Sequence, residues 1–159
     1  MDKIKVCMVG DFSVGKTSLT QKFVNNVFSE NYLTTIGVKI DTAMVGDTKL
    51  IIWDVAGRDS LSPINVSYLV GASGIILVAD GSRPETVDDL YDIWSSVKER
   101  IGNVPAVVAL NKRDLPEWSV TSEQIERLKQ QGWAVFETSA KDGVELAELF
   151  SELIMQVHV

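Results

Sequence analysis

The sequence contains very little cysteine and histidine, residues on which several classes of protein depend. Its 159 residues include one cysteine, Cys7, and one histidine, His158. A single cysteine forms no intramolecular disulfide, so we expect a reducing compartment. His158 lies beside the chain end, where backbones commonly fray, so we expect no histidine base in the chemistry. These scarcities exclude a disulfide scaffold and a histidine-centred active site.

Positive charge and long apolar runs are scarce as well. The chain has 15 Lys and Arg against 22 Asp and Glu, a net charge of −7. Nonspecific nucleic-acid binding comes largely from basic groups, so we expect no nucleic-acid partner. No apolar run reaches the roughly 18 residues that span a bilayer. Residue 2 is Asp2 and the chain closes on Val157-His158-Val159, which match no lipid-anchor motif. We expect a cytoplasmic protein that reaches a membrane only through a missing tail or a partner.

Apolar runs alternate with amphipathic stretches along the whole chain, a pattern typical of βα units. We see no repeat or linker, and the length suits one domain over residues 1–159. Strands are predicted at 4–9, 38–45, 49–54, 74–79, 104–110 and 133–137, and helices at 16–26, 63–71, from 82, 121–132 and from 142. Thr121-x-x-Gln124 predicts a capping box for the fourth of these helices, and Asp142-x-x-Glu145 predicts the start of the last one. Gly46-Asp47 predicts a hairpin turn, which makes the strand before it antiparallel. The other strands should be parallel and end at one edge of the sheet.

A glycine-rich stretch follows the first predicted strand and opens the first predicted helix. It reads Gly10-x-x-x-x-Gly15-Lys16-Thr17, the spacing of a phosphate-binding loop. Glycine lets the backbone approach a phosphate closely, and the N–H groups at the start of a helix can surround it. Lys16 is expected to reach the β- and γ-phosphates, and Thr17 to bind Mg²⁺, which prefers oxygen ligands. The alternative, a plain glycine-rich turn, does not need this strand–loop–helix context.

Three more polar motifs follow strands at the same predicted edge. Asp54-Val55-Ala56-Gly57 follows the third strand, Asn111-Lys112-Arg113-Asp114 the fifth, and Thr138-Ser139-Ala140-Lys141 the sixth. Ligands of such folds bind at this edge, so we expect four loops to meet in one cleft. The last two motifs together suggest a purine-base pocket.

With these motifs the chain closely resembles the Ras-like small GTPases over essentially its whole length. Five motifs occur in the familiar order, GDFSVGKT, TTIG, DVAG, NKRD and TSAK. It is most similar to the Rab branch, through Ile36-Gly37-Val38 and the KLIIW run at 49–53. The resemblance implies a P-loop NTPase-type three-layer α/β sandwich, with a mostly parallel six-stranded sheet, one antiparallel edge strand and five helices. It also implies a molecular switch that binds GTP or GDP with Mg²⁺.

The resemblance further implies roles at the base end of the cleft. Asp114 would accept hydrogen bonds from two guanine N–H groups, Asn111 would tie the base loop to the phosphate loop, and Lys112 would pack over the base. The Ala140 N–H would donate to the guanine carbonyl, and Phe28 would cover the other side of the ring or else belong to the core. Adenine would leave the carboxylate unpaired, a strong basis for selection. The implied nucleotide contacts are Ser13, Val14, Gly15, Lys16, Thr17, Ser18, Phe28, Tyr32, Thr35, Gly57, Asn111, Lys112, Asp114, Ser139, Ala140 and Lys141.

At the phosphate end, the resemblance implies two switch loops. Thr35 and Gly57 would sense the γ-phosphate, holding both loops until it leaves. Thr17, Thr35 and Asp54 would hold Mg²⁺, and Tyr32 would close over the phosphates or remain a plain surface tyrosine. The implied partners of a monomeric chain are effector proteins at the switches, an exchange factor and an activating protein. An apolar patch between the switches, Ile36, Val38, Trp53 and Tyr68, is a candidate effector surface unless Trp53 belongs to the core.

Two residues depart from the family pattern. Arg58 stands where these proteins usually carry the glutamine that orients the attacking water. Arginine has five hydrogen-bond donors and no acceptor, so we expect slow intrinsic hydrolysis. Arg58 could still stabilise charge on the γ-phosphate. In that case it would be a catalytic group together with Lys16, Thr35 and Gly57. Phe12 replaces a small residue and either obstructs an arginine finger or points outward and packs on the second switch.

Three hypotheses follow from the sequence. The first is a GTP-gated switch with slow hydrolysis, and the second is a pseudo-GTPase binding module that holds GTP or GDP with little turnover. The third is a P-loop ATPase or nucleoside kinase, which leaves Asp114 unexplained. Single-turnover hydrolysis separates the first two, and competition by ATP separates the third.

Overall fold

The computed structural model describes residues 2–29, 35, 37–58 and 63–158. Six strands alternate with helices along the chain. The strands are β1 (Asp2–Gly10), β2 (Val38–Val45), β3 (Thr48–Val55), β4 (Gly74–Asp80), β5 (Ala106–Asn111) and β6 (Ala134–Glu137). The helices are α1 (Lys16–Asn25), α2 (Glu85–Asp88), α3 (Leu90–Ile101), α4 (Ser122–Gln130) and α5 (Leu146–Val157), with a 3₁₀ helix at Val66–Leu69.

The strands form one sheet in the order β2-β3-β1-β4-β5-β6. β2 pairs with β3 antiparallel through the turn at residues 46–47, and every other neighbouring pair is parallel. The predicted sheet, with its one antiparallel edge strand, is therefore confirmed. The register aligns Met8 with Asp54 and Asp80 with Asn111, which brings the carboxyl ends of β1, β3, β4 and β5 to the same edge.

Helices cover both faces of this sheet. β1 alternates its side chains, so that Val6 and Met8 enter a core shared with α1 and α5, whereas Cys7 and Val9 enter a second core shared with α3 and α4. Side chains along β4 and β5 are buried throughout, as expected for central parallel strands covered on both faces. The three-layer arrangement leaves the strand ends uncovered by helices, and this is where ligands bind in such folds.

The helices at 63–71 and after 82 differ from the predicted ones. The structure has a 3₁₀ helix of four residues at Val66–Leu69, where Asn65 accepts a hydrogen bond from the Ser67 N–H. The long helix predicted from residue 82 is divided into α2 and α3, with Asp89 between them. Among the helices that the structure describes, none combines the length and the apolar character needed to cross a membrane.

The predicted start of the last helix is wrong. The pattern Asp142-x-x-Glu145 predicted a start at Asp142, but α5 begins at Leu146 and Glu145 has a left-handed backbone with φ +57°. The reason is a tight turn after β6, in which the Asp142 N–H donates to Ser139 Oγ and the Gly143 N–H donates to the Ser139 carbonyl. These bonds commit Asp142 to the turn rather than to the helix.

The capping box predicted for α4 is confirmed. The Gln124 N–H donates to Thr121 Oγ1 at 3.1 Å, and Gln124 Oε1 accepts from the Thr121 N–H at 3.1 Å. We predict that Thr121→Ala lowers the free energy of unfolding by about 1 kcal/mol, because a helix N–H loses its acceptor. Urea titration followed by circular dichroism measures it. Thr121→Ser keeps the hydroxyl and should match the wild type, and equal losses in both variants would contradict a capping effect.

Candidate functional site

Loops from the carboxyl ends of β1, β3, β5 and β6 line one cavity of about 350 Å³. Most of the site residues predicted from the sequence face it. The lining residues are Phe12, Ser13, Gly15, Lys16, Thr17, Ser18, Phe28, Ser29, Thr35, Gly57, Asn111, Lys112, Asp114, Leu115, Ala140 and Lys141. Four predicted residues do not line the cavity but hydrogen-bond to residues that line it: Val14, Asp54, Arg58 and Ser139. Tyr32 lies outside the described residues.

The phosphate loop, defined here as residues 10–17, presents unpaired backbone donors at the start of α1. The N–H groups of Ser13, Val14 and Gly15 have no acceptor among the described residues. Gly15 has φ +99°, and a Cβ there would lie 2.2 Å from Asn111 Nδ2, so only glycine fits. Free N–H groups at the positive end of a helix form a favourable site for an anion.

Lys16 adds a buried positive charge to this loop. Burial lowers its pKa, against the opposing effect of the Asp54 and Asp11 carboxylates. To the residues that the structure describes, the ammonium group makes one long hydrogen bond, 3.4 Å to the Asp11 carbonyl. A buried ammonium with so little compensation is costly by itself, and a bound anion would offset that cost.

Three oxygen-bearing side chains meet beside Lys16. Thr17 Oγ1 lies 2.8 Å from Thr35 Oγ1 and donates to Asp54 Oδ2. Asp54 is fully buried, and its other oxygen, Oδ1, has no hydrogen-bond partner within the part of the chain that the structure describes. Burial raises the pKa of Asp54, while the bond from Thr17 and the Lys16 charge oppose the rise. An unpaired buried carboxylate oxygen beside two hydroxyls fits a hard cation such as Mg²⁺.

At the other end of the cavity, hydrogen bonds fix Asn111, predicted to tie the base loop to the phosphate loop, and Asp114, predicted to accept from a guanine. Asn111 Nδ2 donates to the Val14 carbonyl at 3.0 Å, while Asn111 Oδ1 accepts from the Thr138 hydroxyl at 3.3 Å. Ser139 Oγ donates to Asp114 Oδ1 at 2.9 Å. Asp114 Oδ2 has no partner among the described residues, so one carboxylate oxygen remains free to accept.

Asp80, at the end of β4, is a site residue that the sequence analysis missed. Its buried carboxylate binds Lys112 Nζ at 2.9 Å, and Lys112 Nζ also donates to the Ser13 carbonyl at 3.1 Å. Burial raises the pKa of Asp80, but hydrogen bonds from Ser82, Lys112 and Arg83 outweigh it, so the pKa is lowered. The sequence did contain a signal for it, namely an acidic residue at the end of an otherwise apolar strand.

The chain is similar to known proteins over nearly its whole length. The model of the Ras family matches residues 5–159. The chain belongs to the Ras family. It is 36% identical over 160 residues to Ras-related protein Rab-13 of Rattus norvegicus, covering 96% of this chain and 79% of that protein.

Two further relatives cover almost as much of the chain. Ras-related protein Rab-12 of Homo sapiens is 37% identical over 161 residues, covering 96% of this chain and 66% of the relative. Ras-related protein SEC4 of Saccharomyces cerevisiae is 34% identical over 156 residues, covering 94% and 73%. The resemblance to the Rab branch is thereby confirmed, and Ras and Rab proteins are GTP-binding switch proteins and GTPases.

Arg58, the residue for which the resemblance implied a departure from the family pattern, forms two ion pairs. Its Nε lies 3.0 Å from Asp11 Oδ1 and its Nη2 lies 3.3 Å from Asp89 Oδ2. The Phe12 N–H donates to the Arg58 carbonyl at 2.8 Å, and the Arg58 N–H donates to the Gly10 carbonyl at 3.0 Å. The residue after Gly57 is thus joined to the phosphate loop by side chain and backbone together.

Two aromatic residues left open by the sequence occupy intermediate positions. Phe12 is 42% exposed and lines the cavity, so its ring stands at the mouth of the site. Trp53 is half-buried: it packs on the core, its ring centroid lies 6.3 Å from that of Tyr68, and Lys5 Nζ lies 3.5 Å from its ring. Ile36, the fourth member of the proposed patch with Val38, lies outside the described residues.

The contacts of Asp11 lead to a prediction about its titration. Burial, followed by the neighbouring Asp89 carboxylate, raises the pKa of Asp11 to about 6, against the opposing effect of Arg58. We predict that Asp89→Asn lowers this pKa and Arg58→Gln raises it, because the first removes a negative neighbour and the second a positive one. Carbon-13 NMR titration of the Asp11 carboxyl measures both. Shifts in the same direction in the two variants would contradict the arrangement.

Proposed function

We propose that this Ras-family chain is a guanine-nucleotide switch that binds GTP and GDP with Mg²⁺, hydrolyses GTP slowly, and presents its switch loops to effectors according to the nucleotide bound. The observation that carries the proposal is one cavity with unpaired N–H donors and a buried lysine at one end and the free oxygen of Asp114 at the other. A nucleotide has complementary groups in the same order.

The phosphate end supports binding of a magnesium-bound polyphosphate. The N–H groups of residues 13–15 and the Lys16 ammonium would bind oxyanions, while Thr17, Thr35 and Asp54 would hold the metal. When bound, Mg²⁺ would neutralise phosphate charge. The unpartnered Asp54 Oδ1 supports this assignment because a buried carboxylate oxygen without a donor is unfavourable.

The base end supports guanine over adenine. Guanine offers two adjacent N–H donors, which the Asp114 carboxylate can accept while Ser139 holds its other oxygen. Lys112 and Phe28 both line the cavity and would cover the two faces of the ring, and the Ala140 N–H would donate to the guanine carbonyl. Adenine presents a different edge and would leave the carboxylate unpaired, which is a heavy penalty in a partly buried site.

The switching role depends on Thr35 and Gly57. Both line the cavity beside Thr17, the residue that would share the metal with the γ-phosphate. Contacts that exist only with a γ-phosphate would hold the two loops in one arrangement and release them after hydrolysis. Effectors would then bind near Val38, Trp53 and Tyr68, with an exchange factor and an activating protein as further partners.

The proposal of slow GTP hydrolysis rests on the chemistry and the contacts of Arg58. A guanidinium has no acceptor for a proton of the attacking water. In this chain it also contacts two carboxylates, Asp11 and Asp89, and does not line the cavity. The second candidate function, a pseudo-GTPase that holds nucleotide with little turnover, is favoured by the same contacts and by Phe12 at the mouth of the site.

A binding experiment tests the nucleotide assignment. We predict saturable binding of fluorescent GTP and GDP that weakens on Mg²⁺ removal, and discrimination against ATP of about 10⁴-fold or more. Asp114→Ala should lose most of that discrimination, because the acceptor for the guanine N–H groups is gone. Asp47→Ala, which removes an exposed carboxylate at the hairpin turn between β2 and β3, is the matched control. ATP competing as strongly as GTP would favour an ATPase or nucleoside kinase instead.

A single-turnover experiment tests the role of Arg58. We predict slow release of phosphate by the wild type and, in Arg58→Gln, a rate roughly tenfold higher or more, since the amide oxygen can orient water. Arg58→Lys, which keeps the charge but has no acceptor, should stay slow. Nucleotide affinity and thermal unfolding of each variant report whether the fold is intact.

The rates distinguish the remaining possibilities. If Arg58→Gln hydrolyses more slowly than the wild type, Arg58 is itself catalytic. If neither protein turns over in single-turnover conditions with Mg²⁺ and saturating GTP, the chain is a nucleotide-binding module rather than a GTPase.

A further inference from the structure

Three consecutive carbonyl oxygens of the phosphate loop are each bound by a side chain from outside the loop. The Phe12 carbonyl accepts from Arg83 Nη2 at 2.8 Å and the Ser13 carbonyl accepts from Lys112 Nζ at 3.1 Å. The Val14 carbonyl accepts from Asn111 Nδ2 at 3.0 Å. The first of these donors comes from the segment between β4 and α2, and the other two from the end of β5 and the residue after it.

These bonds determine where the N–H groups of the same peptides point. The described peptide bonds are all trans, and in a trans peptide the C=O and N–H lie on opposite sides of the C–N bond. Fixing the carbonyls of residues 12, 13 and 14 therefore turns the N–H groups of residues 13, 14 and 15 away from the three side chains. Those N–H groups are the ones that lack an acceptor among the described residues.

The loop needs such support because its backbone is strained at Ser13. This residue has φ +60°, in the left-handed region that a residue with a Cβ rarely adopts. The Ser13 N–H belongs to the peptide whose carbonyl Arg83 holds. Without that hydrogen bond, rotation of the Phe12–Ser13 peptide would relieve the strain and turn an N–H donor away from the ligand.

Arg83 is itself held by the buried carboxylate of Asp80. Asp80 Oδ2 accepts from Arg83 Nε at 3.1 Å and from Lys112 Nζ at 2.9 Å. Asp80 Oδ1 accepts from the Ser82 N–H at 2.8 Å and from the Ser82 hydroxyl at 2.6 Å. Four donors thus fix one carboxylate, which in turn fixes both cations that bind the loop.

We propose that Arg83, oriented by Asp80, is a positioning residue that holds the Phe12–Ser13 peptide so that the phosphate loop is preorganised for the β-phosphate of the nucleotide. Arg83 does not line the cavity, so it acts through the loop rather than by touching the nucleotide. Preorganised donors bind an oxyanion more tightly because they need no reordering when it arrives. The inference rests on the proposed nucleotide-binding function.

The test compares Arg83→Met, which removes the donors and keeps a flexible apolar stem, with Arg83→Lys. A lysine ammonium can bind a carboxylate and a carbonyl together, as Lys112 does at Ser13, so Arg83→Lys should restore most of the affinity. Arg100→Met is the matched control, because Arg100 is exposed in the last turn of α3. Thermal unfolding verifies that each variant is folded.

Competition against fluorescent GDP gives the affinities for GTP, GDP, guanosine monophosphate and guanosine. We expect Arg83→Met to weaken GTP and GDP by about tenfold, the worth of one charge-assisted hydrogen bond, through faster dissociation. Guanosine monophosphate and guanosine, which lack a β-phosphate, should bind as they do to the wild type. The loss should persist at high salt, which screens an exposed charge but not a fixed peptide. The Ser13 amide resonance should also move in the nucleotide-free variant and not in Arg100→Met.

Each contrary result has a distinct meaning. Unchanged GDP and GTP affinity in a folded Arg83→Met shows that the loop is held without Arg83. This result overturns the inference but leaves the proposed function standing. An equal loss for guanosine, or a loss that disappears at high salt, also overturns it, because the effect would then come from general disturbance or from charge. If the wild type binds no guanine nucleotide, the proposed function fails and the inference fails with it.

Discussion

The hydrogen bond between the Asn111 amide and the Val14 carbonyl is the constraint on which the rest of the site depends. It joins two residues that are 97 positions apart in the sequence, one in the loop after β1 and the other at the end of β5. The approach is possible because Gly15 has no Cβ, which would meet the same amide. This bond fixes the distance between the phosphate end and the base end of the cavity. A ligand that fills one end is therefore aligned with the other.

Buried charges in the site differ in how well the protein itself satisfies them. Asp80 is fully compensated, by Ser82, Arg83 and Lys112, and its low pKa reflects this. Asp54 and Lys16 are not fully compensated by the described residues: an oxygen of Asp54 has no partner among them, and Lys16 makes a single long hydrogen bond to them. The compensated group stabilises the loop, whereas the uncompensated pair lies beside free N–H donors. A site short of both a cation and an anion suits a metal-bound phosphate.

Arg58 connects the segment after Gly57 to two other parts of the structure. Its contacts with Asp11 and Asp89 link the segment after Gly57 to the phosphate loop and to the start of α3. A neutral amide in the same position would make weaker contacts with two carboxylates but would have an acceptor for water. An arginine at this position therefore supplies ion pairs rather than a hydrogen-bond acceptor, and it holds the segment after Gly57 against the phosphate loop.

Local sequence determined most of the fold. Strand β2 has the predicted bounds, and the sheet, its antiparallel edge and the α4 cap follow from apolar alternation, a two-residue turn and a capping pattern, all of which act between near neighbours. The spacing of the glycine-rich loop likewise indicated the phosphate end. The sequence-based prediction failed at the start of α5, where a tight turn from Ser139 competed for Asp142.

Only the tertiary structure showed the partners of Asp80, Arg83, Arg58 and Asp89. Each of these side chains bonds to a residue on a different strand or loop. No local pattern encodes such pairs, because they exist only when parallel strands bring distant segments to one edge of the sheet.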